Sequence, residues 1–247
     1  MMQHTVVTRD EWLQARRALL IREKEMTRQR DRLSAERRSL PWVEVDKPYV
    51  FAGPDGDRTL ADLFDGRSQL VVYHFMFGPG WAEGCKSCSF LADHLDGARV
   101  HLAQRDVTLV AISRAPLADI LAFQQRMGWQ FPWLSSFGSG FNFDYHVSFS
   151  AEERANGEVY YNYDMTAFPV EEAPGLSVFH QDEARRIFHT YSTYARGLDI
   201  LLGAYNVLDC VPKGRDETGL PFSMDWVRHH DRYTDPRSTA RACCQHG

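Results

Sequence analysis

Long apolar runs are missing from this sequence of 247 residues. No segment reaches the roughly 20 consecutive apolar residues that span a bilayer. The amino terminus also lacks the basic-then-apolar pattern of a secretory leader. The sequence therefore predicts neither a membrane protein nor a secreted one, and we expect the protein to be cytoplasmic.

Cysteines are scarce, with only five in the chain. They form a Cys85-x-x-Cys88 pair, an isolated Cys210 and a vicinal Cys243-Cys244 pair. This number and spacing do not make the disulfide framework of a small secreted domain, so reactive or incidental thiols fit better. Cys210 follows an apolar segment, and we expect it to be a packing residue.

An excess of positive charge is also missing. The net charge of −5 and a pI near 6.1 give no overall attraction to nucleic acid or to an anionic membrane, so neither is expected as a partner. The charge is nevertheless uneven along the chain. Residues 9–38 carry ten Lys/Arg and six Asp/Glu, a net charge of +4 that leaves −9 for the remainder.

This basic segment is predicted to be one long helix. Thr8 and Glu11 have the capping-box spacing, and helix-favouring residues continue to Leu40, where Pro41 stops the helix. The helix carries a thin apolar seam, which predicts either a homodimer paired through this helix or a solvated helix packed on its own domain. The seam residues are Trp12, Leu19, Met26, Leu33 and Leu40.

Strand and helix patterns alternate after residue 42. Continuous apolar strands at 69–77 and 107–113 indicate a parallel sheet covered on both faces. The predicted strands are 43–45, 49–51, 69–77, 107–113, 176–180 and 186–191, of which the first two and the last two form hairpins. The predicted helices are 59–64, 85–95, 117–127 and 199–208.

The CxxC pair stands where a helix begins. The strand at 69–77 delivers the chain through a Gly/Pro-rich turn to Cys85, and the unpaired N–H groups of the following helix favour a thiolate there. Lys86 should lower the pKa of Cys85 further, whereas Glu83 acts in the opposite direction. A reactive dithiol is therefore the first functional hypothesis.

An aromatic-rich insertion interrupts this pattern at residues 129–175. Two interpretations remain for so many rings: a satellite core that covers the domain, or a substrate groove or lid. We favour the satellite core, because large pockets are few in any protein.

The order strand, CxxC helix, strand, helix, X-Pro, hairpin, helix resembles the thioredoxin fold, with peroxiredoxin-like features at 59–64 and 128–134. The whole chain, including the turn at 78–81 and the segment 224–228, resembles a bacterial family of unknown function described as thioredoxin-like predicted dithiol-disulfide oxidoreductases. The resemblance implies an α/β fold in which helices flank a central mixed sheet. The predicted domains are a long basic helix at 1–42, a thioredoxin-like domain at 43–211 that contains the insertion 129–175, and a C-terminal tail at 212–247.

The resemblance also assigns roles to particular residues. Cys85 takes the place of the exposed nucleophile and Cys88 that of the buried resolving thiol. Pro174 falls where the fold keeps its cis-proline, which would present the backbone of Ala173 to an incoming disulfide. His74 falls where thioredoxins carry a buried acid, and a neutral imidazole there could accept the proton of Cys88. The alternative is a strand histidine that is hydrogen-bonded to backbone.

The chemistry so implied is thiol-disulfide exchange with a protein or small-molecule disulfide or thiol, and it needs no metal or organic cofactor. The tryptophan that normally precedes the first cysteine is replaced by Gly84, with Trp81 four residues before Cys85. A peroxiredoxin-like peroxidase comes second, because the peroxidase signature is not met. Pro79 lies six residues before Cys85, and Glu83 occupies the hydroxyl position.

Two other classes of function stay open. A CxxC pair is half of a zinc site, and Cys243, Cys244 and His246 could supply the other half. The vicinal cysteines could equally be a mobile dithiol or chance thiols, whereas the His-His-Asp run at 229–231 lacks a convergent scaffold for a metal. The fold could also serve as a non-catalytic binding module whose dithiol is idle.

Overall fold

The computed structural model describes residues 4–234. They divide into two compact units, one ending at Trp42 and the other beginning at Val43. The first unit is helix α1 (Arg9–Arg38), which opens with the predicted capping box between Thr8 and Glu11. Among the described residues, no helix combines the length and apolarity needed to cross a membrane.

The second unit alternates helices and strands, as the sequence predicts. Its α-helices are α2 (Lys86–Ala103), α3 (Leu117–Met127), α4 (Phe141–Asp144), α5 (Ala151–Ala155) and α6 (Gly203–Leu208). Its strands are β1 (Val43–Glu44), β2 (Val50–Gly53), β3 (Gly56–Thr59), β4 (Gln69–His74), β5 (Val107–Ser113), β6 (Trp133–Ser135), β7 (Val159–Tyr161), β8 (Asp164–Thr166), β9 (Gly175–Gln181) and β10 (Ile187–Tyr194). Short 3₁₀ segments occupy Asp62–Phe64, Ala195–Leu201 and His230–Arg232.

Eight of the strands form one mixed sheet in the order β1-β10-β9-β4-β5-β6-β2-β3. The central strands β4, β5 and β6 are parallel, and β9 and β10 continue the sheet antiparallel from the other edge of β4. Helix α2 makes the crossover from β4 to β5. The prediction of an α/β, thioredoxin-like fold with a central mixed sheet is confirmed.

The first hairpin differs from the prediction. β1 pairs with β10, while β2 pairs with β3 through a tight turn. Gly56 in that turn has φ of 115°, a conformation that side chains disfavour and glycine adopts freely. The first hairpin is therefore β2–β3, whereas the apolar pattern predicted a hairpin between 43–45 and 49–51.

The sheet separates two cores. The helix-side core lies between the sheet and helices α2 and α3, and the insertion-side core lies on the opposite face. The insertion supplies rings to both, with Trp129 and Trp133 on the helix side and Phe141 and Tyr145 on the other. These rings are core, as predicted, but they belong to the two main cores rather than to a separate satellite core, and Phe137, Tyr160 and Tyr163 are exposed.

Residues 209–234, after α6, have little regular structure, as expected for a polar stretch. They nevertheless pack against the rest of the second unit, because Val227 belongs to the helix-side core and His229 is buried. We call residues 217–232 the C-terminal strap. This strap reaches the loop that carries Cys85.

Candidate functional site

The loop between β4 and α2 is held closely against the helix-side core. Gly84 lies on the rings of Phe75 and Phe123, where a Cβ atom would come within 2.7 Å of both. The next residue, Cys85, donates its N–H to the Met76 carbonyl at 3.0 Å. Glycine is therefore required one residue before the first cysteine, because a larger residue would move the loop.

Cys85 is the N-cap of α2 and is partly exposed. Hydrogen bonding from the Cys88 thiol, together with the N–H groups of Cys88 and Ser87 and the charge of Lys86, lowers the pKa of Cys85 to about 7 despite burial. Unpaired N–H groups at a helix start favour an anion in this position. The thiol of this N-cap residue therefore ionises near neutral pH.

Cys88 lies one turn further into α2 and is only 2% exposed. Burial and the hydrogen bond to Cys85 raise its pKa, so it keeps its proton while Cys85 ionises. The Tyr73 hydroxyl and the Met76 N–H face Cys88 and oppose this rise. Tyr73 also donates to the Cys88 carbonyl at 3.2 Å. The two thiols therefore differ in acidity: Cys85 ionises near neutral pH, whereas the buried Cys88 stays protonated.

His74 is not behind Cys88, so the role predicted for it is wrong. Neighbouring residues of a strand point to opposite faces, and it is Tyr73 that faces the dithiol. His74 points to the insertion side, where its Nε2 lies 2.8 Å from Ser177 Oγ. Burial lowers its pKa to about 3, so the ring is neutral there. Its partner is a side chain rather than the backbone group of the alternative interpretation.

The prediction of a cis bond before Pro174 is also wrong, because the described residues contain no cis peptide bond. The insertion fixes this stretch by two hydrogen bonds, from Ala173 N–H to the Val147 carbonyl at 2.8 Å and from Tyr161 Oη to the Pro174 carbonyl at 2.7 Å. These hydrogen bonds hold the backbone just before β9, and the peptide bond before Pro174 is trans. Pro174 still lies beside Cys88, in the wall of a small cleft.

That cleft has a volume of about 90 Å³. Its wall is mostly apolar and comes from β4, α2, the Pro174 turn, the 3₁₀ segment after β10 and the strap. Cys88, Ser87, Pro174, Leu198 and Met224 are among the residues that line it. A space of this size holds about three water molecules, by the roughly 30 Å³ that each occupies in the liquid. The cleft is large enough for one small side chain.

Lys86 follows Cys85 directly, and its side chain contacts the strap. Its Nζ donates to the Asp225 carbonyl at 2.8 Å and lies 3.6 Å from the Asp225 carboxylate. Its charge lowers the pKa of Cys85 by less than the hydrogen bonds from Cys88 and Ser87 do. The predicted effect of Lys86 has the expected direction and is a minor part of the total.

Glu83 is the one carboxylate close to Cys85 in the same loop, and it is ion-paired. Arg232 of the strap donates two hydrogen bonds to it at 2.9 and 2.7 Å, and Arg126 of α3 donates a third at 2.9 Å. Although burial acts against them, these bonds keep the pKa of Glu83 below its usual range. The expected repulsion between Glu83 and the thiolate is therefore reduced by neighbouring cations.

The strap contributes residues that the sequence did not single out for this site. His229 is buried, with Nε2 at 2.9 Å from the Gly84 carbonyl, and Asp231 pairs with Arg126. Their only sequence signal was the density of His, Asp and Arg in a short polar stretch. Tyr73 lies on the same face of the strand as Phe75, but the apolar run at 69–77 does not say which face meets the helices.

The sequence analysis also considered a metal site and roles for the cysteines outside the CxxC pair. Residues 4–234 contain no cluster of three or more His, Cys, Asp or Glu that could hold a metal ion. Cys243, Cys244 and His246 lie outside the described residues. Cys210 is exposed at the end of α6, so the expectation that it packs is wrong.

No curated protein matches the chain. Solved structures with similar folds include the peroxidoxin BcpB from Mycobacterium tuberculosis, at 15% identity and TM-score 0.40, covering 68% of this chain and 97% of that one. Peroxiredoxin Q from Xanthomonas campestris gives 14% identity and TM-score 0.40, covering 64% and 89%. The mitochondrial 2-Cys peroxiredoxin from Plasmodium falciparum gives 11% and 0.39, covering 68% and 91%.

The family assignment comes from a sequence model. A model described as "Bacterial protein of unknown function (DUF899)" matches residues 1–233, which includes α1, the dithiol domain and the strap. The match extends over nearly the whole chain and is not confined to the CxxC region. The chain belongs to the DUF899 family.

Proposed function

We propose that the chain is a thiol-disulfide oxidoreductase with Cys85 as nucleophile and Cys88 as resolving thiol. One observation carries the proposal: a partly exposed cysteine of lowered pKa is the N-cap residue of a helix, and a buried cysteine of raised pKa follows one turn later. Reactive thiols differ from structural ones by this combination of exposure and thiolate stabilisation.

In the first step the Cys85 thiolate attacks one sulfur of a substrate disulfide. A bond forms between Cys85 and that sulfur, the substrate S–S bond breaks, and the other half leaves as a thiolate that takes a proton from water. The N–H groups at the start of α2 hold the thiolate before attack. Its partial exposure gives the substrate access.

In the second step Cys88 loses its proton to solvent and attacks the Cys85 sulfur. The mixed disulfide breaks, the second substrate half leaves as a thiol, and a Cys85–Cys88 disulfide forms. Two electrons have passed from the dithiol to the substrate. Tyr73 and the Met76 N–H are placed to stabilise the Cys88 thiolate as it forms.

The small apolar cleft supports the proposed substrate class. A protein or small-molecule disulfide can present one small apolar group to the space beside Cys88, while the rest of the substrate stays outside. A reducing compartment such as the cytoplasm would return the disulfide to the dithiol. The reverse direction, oxidation of a dithiol substrate, uses the same two steps.

The test is the rate of alkylation of Cys85 by iodoacetamide as a function of pH. Trypsin separates the thiols, because residues 68–86 form a peptide whose only cysteine is Cys85, and residues 197–213 form one whose only cysteine is Cys210. We expect a midpoint near the pKa of about 7 for Cys85. The exposed Cys210 is the internal reference for an ordinary surface thiol.

Turnover is tested with the single-cysteine variants. Cys88→Ser should keep rapid alkylation of Cys85 but accumulate a mixed disulfide with a small disulfide substrate, and its turnover should fall by about 10³-fold or more. Alkylation of native Cys85 only at strongly alkaline pH or after denaturation would refute the proposal. Hydrogen peroxide is the comparison substrate, and oxidation of Cys85 by peroxide faster than its exchange with disulfides would favour a peroxidase instead.

A further inference from the structure

The peptide unit between Gly84 and Cys85 is held at both of its polar ends. Its N–H, on Cys85, donates to the Met76 carbonyl at 3.0 Å. Its carbonyl, on Gly84, lies 2.9 Å from Nε2 of His229. The rotation of this peptide plane sets the backbone geometry from which the Cys85 side chain leaves, so both bonds bear on the position of the sulfur.

The roles in the second bond are settled by chemistry. A carbonyl oxygen only accepts, so Nε2 of His229 carries the hydrogen and donates it. The other nitrogen, Nδ1, lies 3.7 Å from the Glu83 carboxylate. His229 thus contacts the two residues that directly precede the nucleophile, from a position 145 residues away in sequence.

The imidazole is fixed in place by its surroundings. Only 4% of the His229 side chain is exposed, and its ring meets the edge of Phe123, the same ring on which Gly84 lies. The residues that follow are anchored as well. His230 bonds to Asp93, and Arg232 pairs with Glu83. The strap therefore presents one defined donor to one defined carbonyl.

We infer that His229 is a positioning residue for the nucleophile, holding the Gly84–Cys85 peptide plane so that the Cys85 sulfur faces the N–H groups that begin α2. This inference rests on the proposed function. His229 makes no contact with a reacting atom in this role, and it acts through the Gly84 carbonyl. The strap thereby becomes part of the active site.

Loss of the donor has a specific expected consequence. With the Gly84 carbonyl released, the peptide plane can rotate, and the sulfur spends less time against the N–H groups of Ser87 and Cys88, which stabilise the thiolate. The pH midpoint of alkylation should then rise. A purely structural histidine would lower the thermal unfolding midpoint but leave the pH profile of the folded protein unchanged.

The experiment compares four variants of the full chain with wild type by the Cys85 peptide assay. His229→Phe keeps an aromatic ring against Phe123 but has no donor, and the amide of His229→Asn is too short to reach the Gly84 carbonyl. We call these two the donor-less variants, because neither can donate to that carbonyl. His229→Gln can place its amide nitrogen near the Nε2 position and should restore the bond. His230→Asn changes the exposed neighbour but keeps the anchor to Asp93, because the amide nitrogen of asparagine takes the place of Nδ1.

We expect both donor-less variants to alkylate Cys85 about tenfold more slowly at pH 7, the size of effect that removal of one buried hydrogen bond produces. Their midpoints should be higher than wild type. His229→Gln should stay within about twofold of wild type, and His230→Asn should match it. Thermal unfolding of each variant shows which of them are folded, and two donor-less variants keep the test available if one of them does not fold.

The outcomes separate the two proposals. If wild-type Cys85 is inert below alkaline pH, the oxidoreductase proposal fails and the role of His229 fails with it. If wild-type Cys85 is reactive and a folded donor-less variant gives the same pH profile, only the role of His229 is refuted. If His229→Gln behaves like His229→Phe, the hydrogen bond is not what matters, and the inference is also refuted.

Discussion

Two neighbouring residues of β4 lead into two buried polar clusters on opposite faces of the sheet. On the helix side, Tyr73 faces the Cys85–Cys88 dithiol. On the insertion side, His74 begins a chain of hydrogen bonds through Ser177 and Ser192 to His189, with steps of 2.8, 2.7 and 2.7 Å. Both clusters lie in aromatic surroundings, and both contain groups that titrate.

The clusters differ in whether their surroundings stabilise a charged group. The dithiol sits where a helix begins, and backbone N–H groups are free to stabilise an anion at a position that solvent reaches. In the histidine cluster the hydroxyl groups bond to each other and to one nitrogen of each imidazole, His74 is buried, and His189 is partly buried. Burial lowers the pKa of both His74 and His189. Burial alone therefore makes a group inert, whereas burial next to unpaired donors makes it reactive.

The prediction with the largest expected effect adds one methyl group on each face of the sheet. A Cβ at Gly84 would come within 2.7 Å of Phe75 and Phe123, and a Cβ at Gly175, the cross-strand partner of His74, would come within 2.7 Å of the Tyr194 ring. We expect Gly84→Ala and Gly175→Ala each to lower the free energy of unfolding by about 2 kcal/mol through overpacking.

Only the first substitution should change the chemistry. Gly84→Ala moves the loop that carries the nucleophile, so the pH midpoint of Cys85 alkylation should rise, while Gly175→Ala should leave that midpoint unchanged in the folded fraction. Denaturant unfolding and the peptide assay measure the two effects. Gly97→Ala is the control, because the site is open and an alanine within a helix should stabilise it by about 0.5–1 kcal/mol. Equal loss of reactivity in the two buried variants would contradict the separation of the faces.

The second test uses the pH dependence of stability. The pKa of His74 is about 3 in the folded protein and near 6.5 in an unfolded chain, so the unfolded state takes up a proton first as the pH falls. The stability from this group is complete above pH 6.5 and is lost between pH 6.5 and 3. The loss amounts to about 1.4 kcal/mol per pH unit for one such group.

The matched variants isolate that contribution. In His74→Phe the free energy of unfolding should fall less steeply between pH 6.5 and 5, because one proton fewer is taken up on unfolding. His101→Phe, at an exposed position of α2, is the matched control for replacing a histidine by phenylalanine. Urea unfolding at several pH values measures both slopes. Identical slopes in the two variants would mean that His74 titrates normally and that the insertion-side cluster is open to solvent.

The regular elements of the fold could be predicted from the sequence because local signals define them. β5 at Val107–Ser113 is one apolar run, and α3 ends at Met127 because Gly128 takes the left-handed conformation with φ of 70°. Cys85 at the start of α2 follows from the same kind of local signal. The pairing of β1 with β10 could not be predicted in this way, since it joins residues far apart in the chain.

Two features of the site were not predicted: which residue of β4 faces the dithiol, and the contacts of the strap. Local sequence patterns do not specify either of them. β4 is apolar on both faces, so its pattern has no alternation to say whether Tyr73 or His74 faces the helix. The strap has neither helical nor strand periodicity, and its contacts with Gly84 and Glu83 span 145 and 149 residues. Such contacts join segments that are far apart in the chain, and the residue pattern of a single segment does not specify its distant partners.

The third test concerns the hydroxyl of Tyr73, which faces Cys88. Tyr73→Phe keeps the ring in the helix-side core and removes the group that stabilises the Cys88 thiolate. We expect attack by Cys85 to be unchanged and resolution by Cys88 to slow about fivefold, the effect of one hydrogen bond worth about 1 kcal/mol.

A disulfide reagent that releases one coloured thiol per step measures these rates separately, in a background where Cys210, Cys243 and Cys244 are serine. The first release reports Cys85 and the second reports Cys88. His74→Phe is the comparison on the other face and should slow neither step. If Tyr73→Phe slows the first release instead, Tyr73 acts through the loop and not through Cys88.

The smallest expected effect comes from the carboxylate that the strap places beside Lys86. Asp225→Asn keeps the backbone carbonyl that Lys86 donates to and removes the charge 3.6 Å away. With that charge gone, Lys86 should act more strongly on the thiolate, and the alkylation midpoint of Cys85 should fall by a few tenths of a pH unit. Lys86→Gln should raise it by a similar amount. Both side chains are about one-third exposed, so the effect is small and should disappear in 1 M salt. A rise in the midpoint of Asp225→Asn would mean that Asp225 matters for holding the strap on the loop, which would put the Lys86 contact in the same role as the His229 bond.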